Sequence, residues 1–182
     1  MTLTDIANIV LEDLGQRAIS SLDGNEFDAV RIRRRINMTI DEVASMRKWT
    51  RLRRKVKLVC SEYNQDTGEG KFLLPNGLNQ IIFGNPSFER LEGKFIVAYS
   101  PELELYCTIV SYDPNDWDAN FRGAVIAQLG ADLAMLVTKN PQIAQQKIQM
   151  ARINVSRFIA NDIYAEKERV VQDGVSWWIQ DN

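Results

Sequence analysis

The sequence contains no histidine, and that one absence removes a large share of enzyme chemistry. Without an imidazole there can be no Ser-His-Asp or Cys-His nucleophile and no histidine-assisted metal hydrolase. Cysteine is nearly as scarce: Cys60 and Cys107 are the only two, too few for a zinc site. They sit far apart in β-prone runs, so reduced, buried thiols fit a cytosolically made chain better than a structural disulfide does. No apolar run approaches the roughly 18 residues of a membrane span. The opening MTLTDIANIV lacks both the basic and the long apolar parts of a secretory signal. The expectation is a soluble chain without membrane contact. The phosphate-cradling patterns GxxxxGK[ST] and, after a strand, GxGxxG are missing too. DPNDWD offers acids at positions 1, 4 and 6, where a calcium loop wants ligands at 1, 3 and 5 and Gly at 6, so it reads as a helix cap. Nothing marks a carboxylate pair among the 24 acids. The chain is expected to be no enzyme, with no cofactor and no metal.

What the chain does have is an uneven charge. Residues 28–57 hold eleven of its 22 Lys and Arg and only three acids, a local charge of +8. The whole chain carries −2, which leaves −10 for the remainder. Such asymmetry suggests oriented neighbours more than general affinity for nucleic acid. A nucleic-acid surface would also interleave aromatic or amide side chains for stacking and base readout. Only Trp49 fits, and it falls where a helical pattern ends, which suits a core anchor. Arg31, Arg33, Arg34, Arg35, Arg51, Arg53 and Arg54 are therefore candidates for a solvated or subunit-interface face, pairing with acids of the same chain or of a neighbour, with any DNA contact weak and non-specific. Trp177 and Trp178, on a short polar tail, either fold back onto the body or anchor a partner.

Periodicity predicts helices over 4–14, 25–48, 113–137 and 141–170. The expected apolar stripes are Ala29, Ile32, Ile36, Ile40, Val43 and Met46 in the second, Trp117, Phe121, Val125, Leu129, Leu133 and Leu136 in the third, and Ala144, Ile148, Ala151, Val155, Phe158 or Ile159, and Ile163 in the last. Thr4 is the expected first cap, Asp23 with Glu26 the expected capping box of the second helix, and Asp113 with Pro114 the expected start of the third. Ala124, Ala127, Ala131 and Ala134 form a small-residue ridge that lets a neighbouring helix approach. Between the helices, RKVKLVCSEY reads as one strand, SFERLEGKFIVAYS as a hairpin turning at Glu92-Gly93, and LELYCTIVSY as a further strand. The fold class is α+β, mainly α. It is an elongated helical bundle (1–50 and 113–170) with an inserted small antiparallel β unit (51–112) and an extended C-terminal tail (171–182).

The order of phrases carries a resemblance. A short helix closing in Leu14-Gly15 is followed by the link Ser20-Ser21-Leu22-Asp23. A helix with Arg34, Arg35 and Asn37, the close Trp49-Thr50, the Leu74-Pro75 phrase and Phe121-Arg122 before an Ala/Leu-rich stretch come after. This layout resembles the tail tubular protein A family, the head-to-tail adaptors of short-tailed bacteriophages, over most of the chain. It matches least over 84–112. The resemblance implies a structural virion protein, assembled in the host cytoplasm. Its copies form a ring, usually dodecameric, between the portal and the tail nozzle and around the DNA exit channel. The implied partners are further copies of the chain, the portal protein and the nozzle protein, with transient contact to genomic DNA. A DNA-binding accessory protein using residues 31–57 is the alternative.

Overall fold

A computed structural model describes residues 1–173 of the chain, and the side chains of residues 1–167. The fold is mixed, with helices in one part and two small antiparallel sheets in the other. The chain divides into two compact units. One holds Met1–Val43, Trp49–Arg51 and the chain from Tyr112 onward; the other holds Ala44–Lys48 and Leu52–Ser111.

In the helical unit, α1 (Leu3–Asp13) starts earlier than expected, because its capping box is built on Thr2 rather than Thr4. The Thr2 hydroxyl accepts the Asp5 N–H at 3.1 Å and the Asp5 carboxylate accepts the Thr2 N–H at 2.7 Å. From Thr4 the third helical position would be Ala7, which cannot reciprocate. α2 (Phe27–Ser45) starts two residues late and stops three short of expectation. Glu26 accepts from the Ser20 hydroxyl at 3.0 Å instead of boxing with Asp23. Trp49 turns back into the core beyond its end, and its indole N–H donates to the Val43 carbonyl at 2.8 Å. The third helix needs two caps rather than one. Asp113 caps a separate 3-10 turn, Pro114–Asp116, and Asp118 caps α3 (Ala119–Thr138), accepting the Phe121 N–H at 2.7 Å. The break lets Trp117 extend inward, edge-on to Phe121 at 5.3 Å, while Trp49 meets the same ring at 5.4 Å.

Lys139 ends α3 in the left-handed region (φ 54). Asn140 then accepts the Gln142 N–H at 3.0 Å and opens α4 (Pro141–Asp173). Residues 171–173 therefore belong to the helix and not to the tail, while Trp177 and Trp178 lie outside the described residues. By length and composition alone α3 could cross a membrane. Here its residues Phe121, Val125, Leu129 and Leu133 are buried, and it packs against α1 and α4. Gly123 sits under the Phe158 ring, which a Cβ would strike unless the ring turned aside. The predicted stripes hold at Ile32, Ile36, Ile40 and Val43 of α2 and at Ala144, Ala151 and Val155 of α4. They fail at Met46, just past the end of α2, and at Leu136 and Ile148, on either side of the turn between α3 and α4; all three are exposed.

In the β unit the single predicted strand is two. β1 (Arg53–Leu58) and β2 (Cys60–Tyr63) part at Val59, and each joins a different sheet. β3 (Gly70–Leu73), β4 (Leu78–Asn85), β5 (Arg90–Glu92), β6 (Phe95–Ala98) and β7 (Leu103–Ile109) complete them in the orders β1-β7-β4 and β2-β3-β6-β5. The β5–β6 hairpin turns at Gly93, φ 59, as predicted. The inner faces share one core of Leu58, Phe72, Ile96, Leu103, Leu105 and Cys107. At Gly70 a Cβ would meet the Ser100 carbonyl, so only glycine fits there. Cys60 and Cys107 are both free thiols, and burial pushes the Cys107 thiol above its ordinary pKa.

Candidate interaction surfaces

The arginines singled out in the sequence do not converge on one site. Arg31 lies over the Phe27 ring at 3.7 Å and donates to the Leu136 carbonyl in the last turn of α3, where a cation complements the helix dipole. Arg33 donates to the Leu22 carbonyl at 3.1 Å. Arg35 is an internal staple: its Nε donates to Asp132 at 2.9 Å and its other end reaches Glu42 at 3.4 Å. Asp132 also accepts from the buried Thr39 hydroxyl at 2.6 Å, and its hydrogen bond raises the Arg35 pKa further. Arg34 is exposed. Arg51 donates to the Asp116 carbonyl at 3.2 Å. These five belong to the helical unit; Arg53 and Arg54 belong to the β unit, donating to the carbonyls of Lys48 and Arg53 at 3.0 and 2.8 Å.

The two outer sheet faces differ. On the three-stranded sheet, strand alternation puts Arg53, Lys55 and Lys57 on one side of β1. There Lys55 lies beside Tyr106, which stacks on Phe83 with centroids 4.1 Å apart. Lys55 pairs with Glu104 at 2.8 Å, which raises its pKa, and Lys57 pairs with Glu102 at 3.1 Å. On the four-stranded sheet, Glu62, Lys71, Glu92, Arg90 and Glu69 form a chain of ion pairs over the fully buried Val97. The Arg90 guanidinium holds the Glu92 carboxyl below the usual carboxylate range. Leu73 and Phe95 face each other across β3 and β6 beside this chain, both exposed.

Sequence reasoning missed the outer side of α4. Its inner side carries Ala144, Ala151, Val155 and Asp162, all buried; Asp162 there accepts from the Thr50 N–H and hydroxyl at 3.2–3.3 Å. Half a turn away, Met150, Ile153 and Tyr164 are 48%, 63% and 65% exposed. The signal was legible as a second set of three- and four-residue steps, masked by the first. Beside it runs a surface groove of about 450 Å³ between α3 and α4, floored by Gly123, Ala127 and Gly130 and rimmed by Met150 and by the Asp13–Lys147 ion pair.

No protein-family model matches the sequence, and no similar protein is found among curated ones.

Proposed function

We propose that this chain is a binding protein of the virion: a head-to-tail adaptor subunit whose copies, most naturally twelve, form a ring joining the portal to the tail nozzle around the DNA exit channel. The observation that carries this reading is that both units expose apolar side chains beside ordered charge. The helical unit does so along α4, and the β unit does so at Leu73 and Phe95. A subunit that must grip copies of itself and two unlike proteins needs several such surfaces. The phrase order from Leu14-Gly15 to Phe121-Arg122 gives the reading its direction. In it the helices form the elongated, rigid part, and Trp177 and Trp178 anchor the portal. Arg31, Arg33 and Arg35 are engaged within the chain, which leaves less basic charge for DNA, and a duct for DNA works best without a sticky basic lining. The test is co-sedimentation of the chain with the portal ring of the same genome, followed by negative-stain imaging. A stoichiometric complex with an added ring of density below the portal is expected. Failure of a folded chain to bind an intact portal would overturn the reading.

One observation favours the alternative, a non-specific DNA-binding accessory protein: the row Arg53, Lys55, Lys57 beside the Phe83–Tyr106 stack has the ingredients of a strand-binding face. Glu104 and Glu102 counter the charges of Lys55 and Lys57 in it. DNA titrations decide, because a phosphate binder loses affinity steeply as salt rises, whereas the adaptor binds little DNA at physiological salt.

A further inference from the structure

The outer side of α4 has the spacing of a helix-packing seam. Gln146, Met150, Ile153, Arg157, Ala160, Tyr164 and Lys167 follow alternating steps of four and three residues, the repeat that keeps one face against a partner helix. The seam spans about 32 Å. The exposed charged residues of α4 as far as Lys167 are Arg152, Arg157 and Lys167, all basic. The exposed charged residues of α1 are Asp5, Glu12 and Asp13, all acidic, and the exposed Ile9 stands between them. Asp5, Ile9 and Glu12 again follow steps of four and three, so they share one face. The Asp13–Lys147 pair is the same acid-on-α1, base-on-α4 chemistry already formed within one copy.

We propose that the outer stripe of α4 receives the acidic outer face of α1 from a second copy of this chain, head to tail. This rests on the ring reading above and names its contact. Two α4 stripes paired across a twofold axis would set bases against bases, which disfavours a symmetric dimer. Two different patches on one chain give a heterologous contact, which closes into a ring when its rotation allows. Ile9 lies against Ile153 and Met150, with Glu12 facing Arg157 or Arg152. α1, at about 16 Å, covers half of the seam.

The test uses R157E and E12R in the full chain, with assembly followed by sedimentation velocity, alone and on the portal ring. Both positions are exposed, so each variant keeps the wild-type circular dichroism melt. Each variant alone is expected to assemble at least tenfold more weakly than the wild type. An equimolar mixture should regain assembly, since each junction in an alternating ring then joins opposite charges. I153D, which puts a charge into the apolar centre, should fail in every mixture. Wild-type assembly by R157E and E12R, or two failing variants that do not rescue each other, would overturn this contact and leave the adaptor reading standing. A wild-type chain that binds the portal singly, without forming a ring, overturns both.

Discussion

In the helical unit the polar groups that fix the packing are taken inside: Thr39 and Asp132 meet Arg35 between α2 and α3, and Asp162 on α4 is buried under Thr50. In the β unit most lie outside, as the ion-pair chain from Glu62 to Glu69 that roofs Val97; the exception is the fully buried Thr108, whose hydroxyl accepts the Gln80 N–H at 3.1 Å, and the inner core is apolar apart from a thiol. The contrast follows from the elements. Helices meet along stripes too narrow to exclude every polar side chain, so those caught in the contact must be paired with each other. A small two-sheet core can be wholly apolar, because strand alternation sends each polar neighbour to the far face. The helical unit is therefore sensitive to the loss of single buried partners, and the β unit to crowding and to solution conditions.

The largest expected effect is in the helical unit. Trp49→Ala removes a fully buried ring that touches Phe121 and donates to Val43. It should cost about 3–5 kcal/mol in urea unfolding and erase much of the near-ultraviolet dichroism. Asp132→Ala leaves Thr39 without its acceptor and Arg35 with Glu42 alone, and should cost about 1.5–3 kcal/mol; a loss no larger than that of an exposed Asp→Ala would show the staple to be idle.

Crowding should rank the two units the other way. Gly70→Ala drives a methyl at the backbone carbonyl of Ser100, which cannot step aside, and should cost about 1–3 kcal/mol. Gly123→Ala meets only the Phe158 ring, a side chain able to turn, and gains about 1 kcal/mol of helix propensity. Its melting temperature should stay close to the wild type's, and equal losses for the two would erase the distinction.

The smallest effects are in pH. The folded pKa of Glu92 is depressed, so its contribution is present above the ordinary carboxylate value and is lost as pH falls through the lower, folded one. Hydrogen exchange in β5 and β6 should rise in acid before that in α3. Tyr112 behaves in the opposite sense. Its hydroxyl donates to Asp41 at 2.7 Å, which pushes its pKa up to about 12. Its contribution is whole below pH 10 and fades as pH rises toward about 12, and it stays modest because the residue is 43% exposed. A late phenol in an absorbance titration, missing in Tyr112→Phe, is the expected sign.

Much of this fold is legible in the sequence, because helix stripes and hairpin turns are local facts. The apolar steps of α2 and α3 and the Glu92-Gly93 turn appear where the sequence puts them. The run from Arg53 to Tyr63 misleads for a physical reason. Leu58 and Cys60 keep alternating inward across the exposed Val59, so the period continues while the partner strands change. That change is decided by β3 and β7, which the run itself does not encode. Asp132 and Asp162 could not be picked out either, since their partners lie 97 and 112 residues away. For the candidate surfaces, the basic segment drew attention by composition, yet most of its arginines are occupied within the chain. The α4 stripe drew none, because one stripe already accounts for a helix.

Arg51 and Asp116 carry one more consequence. Their hydrogen bond ties the chain just before Leu52 to the chain just after Ser111, so the long β excursion leaves and returns at neighbouring points of the helical unit. A segment tethered by adjacent ends can be exchanged for another of different length or fold while its host keeps its own contacts. Residues 52–111 are in that sense a cassette, with one further tie: Asn79 and Gln80 donate to the carbonyls of Ala44 and Ser45, each at 2.8 Å, so an exchanged segment must offer those two carbonyls new donors.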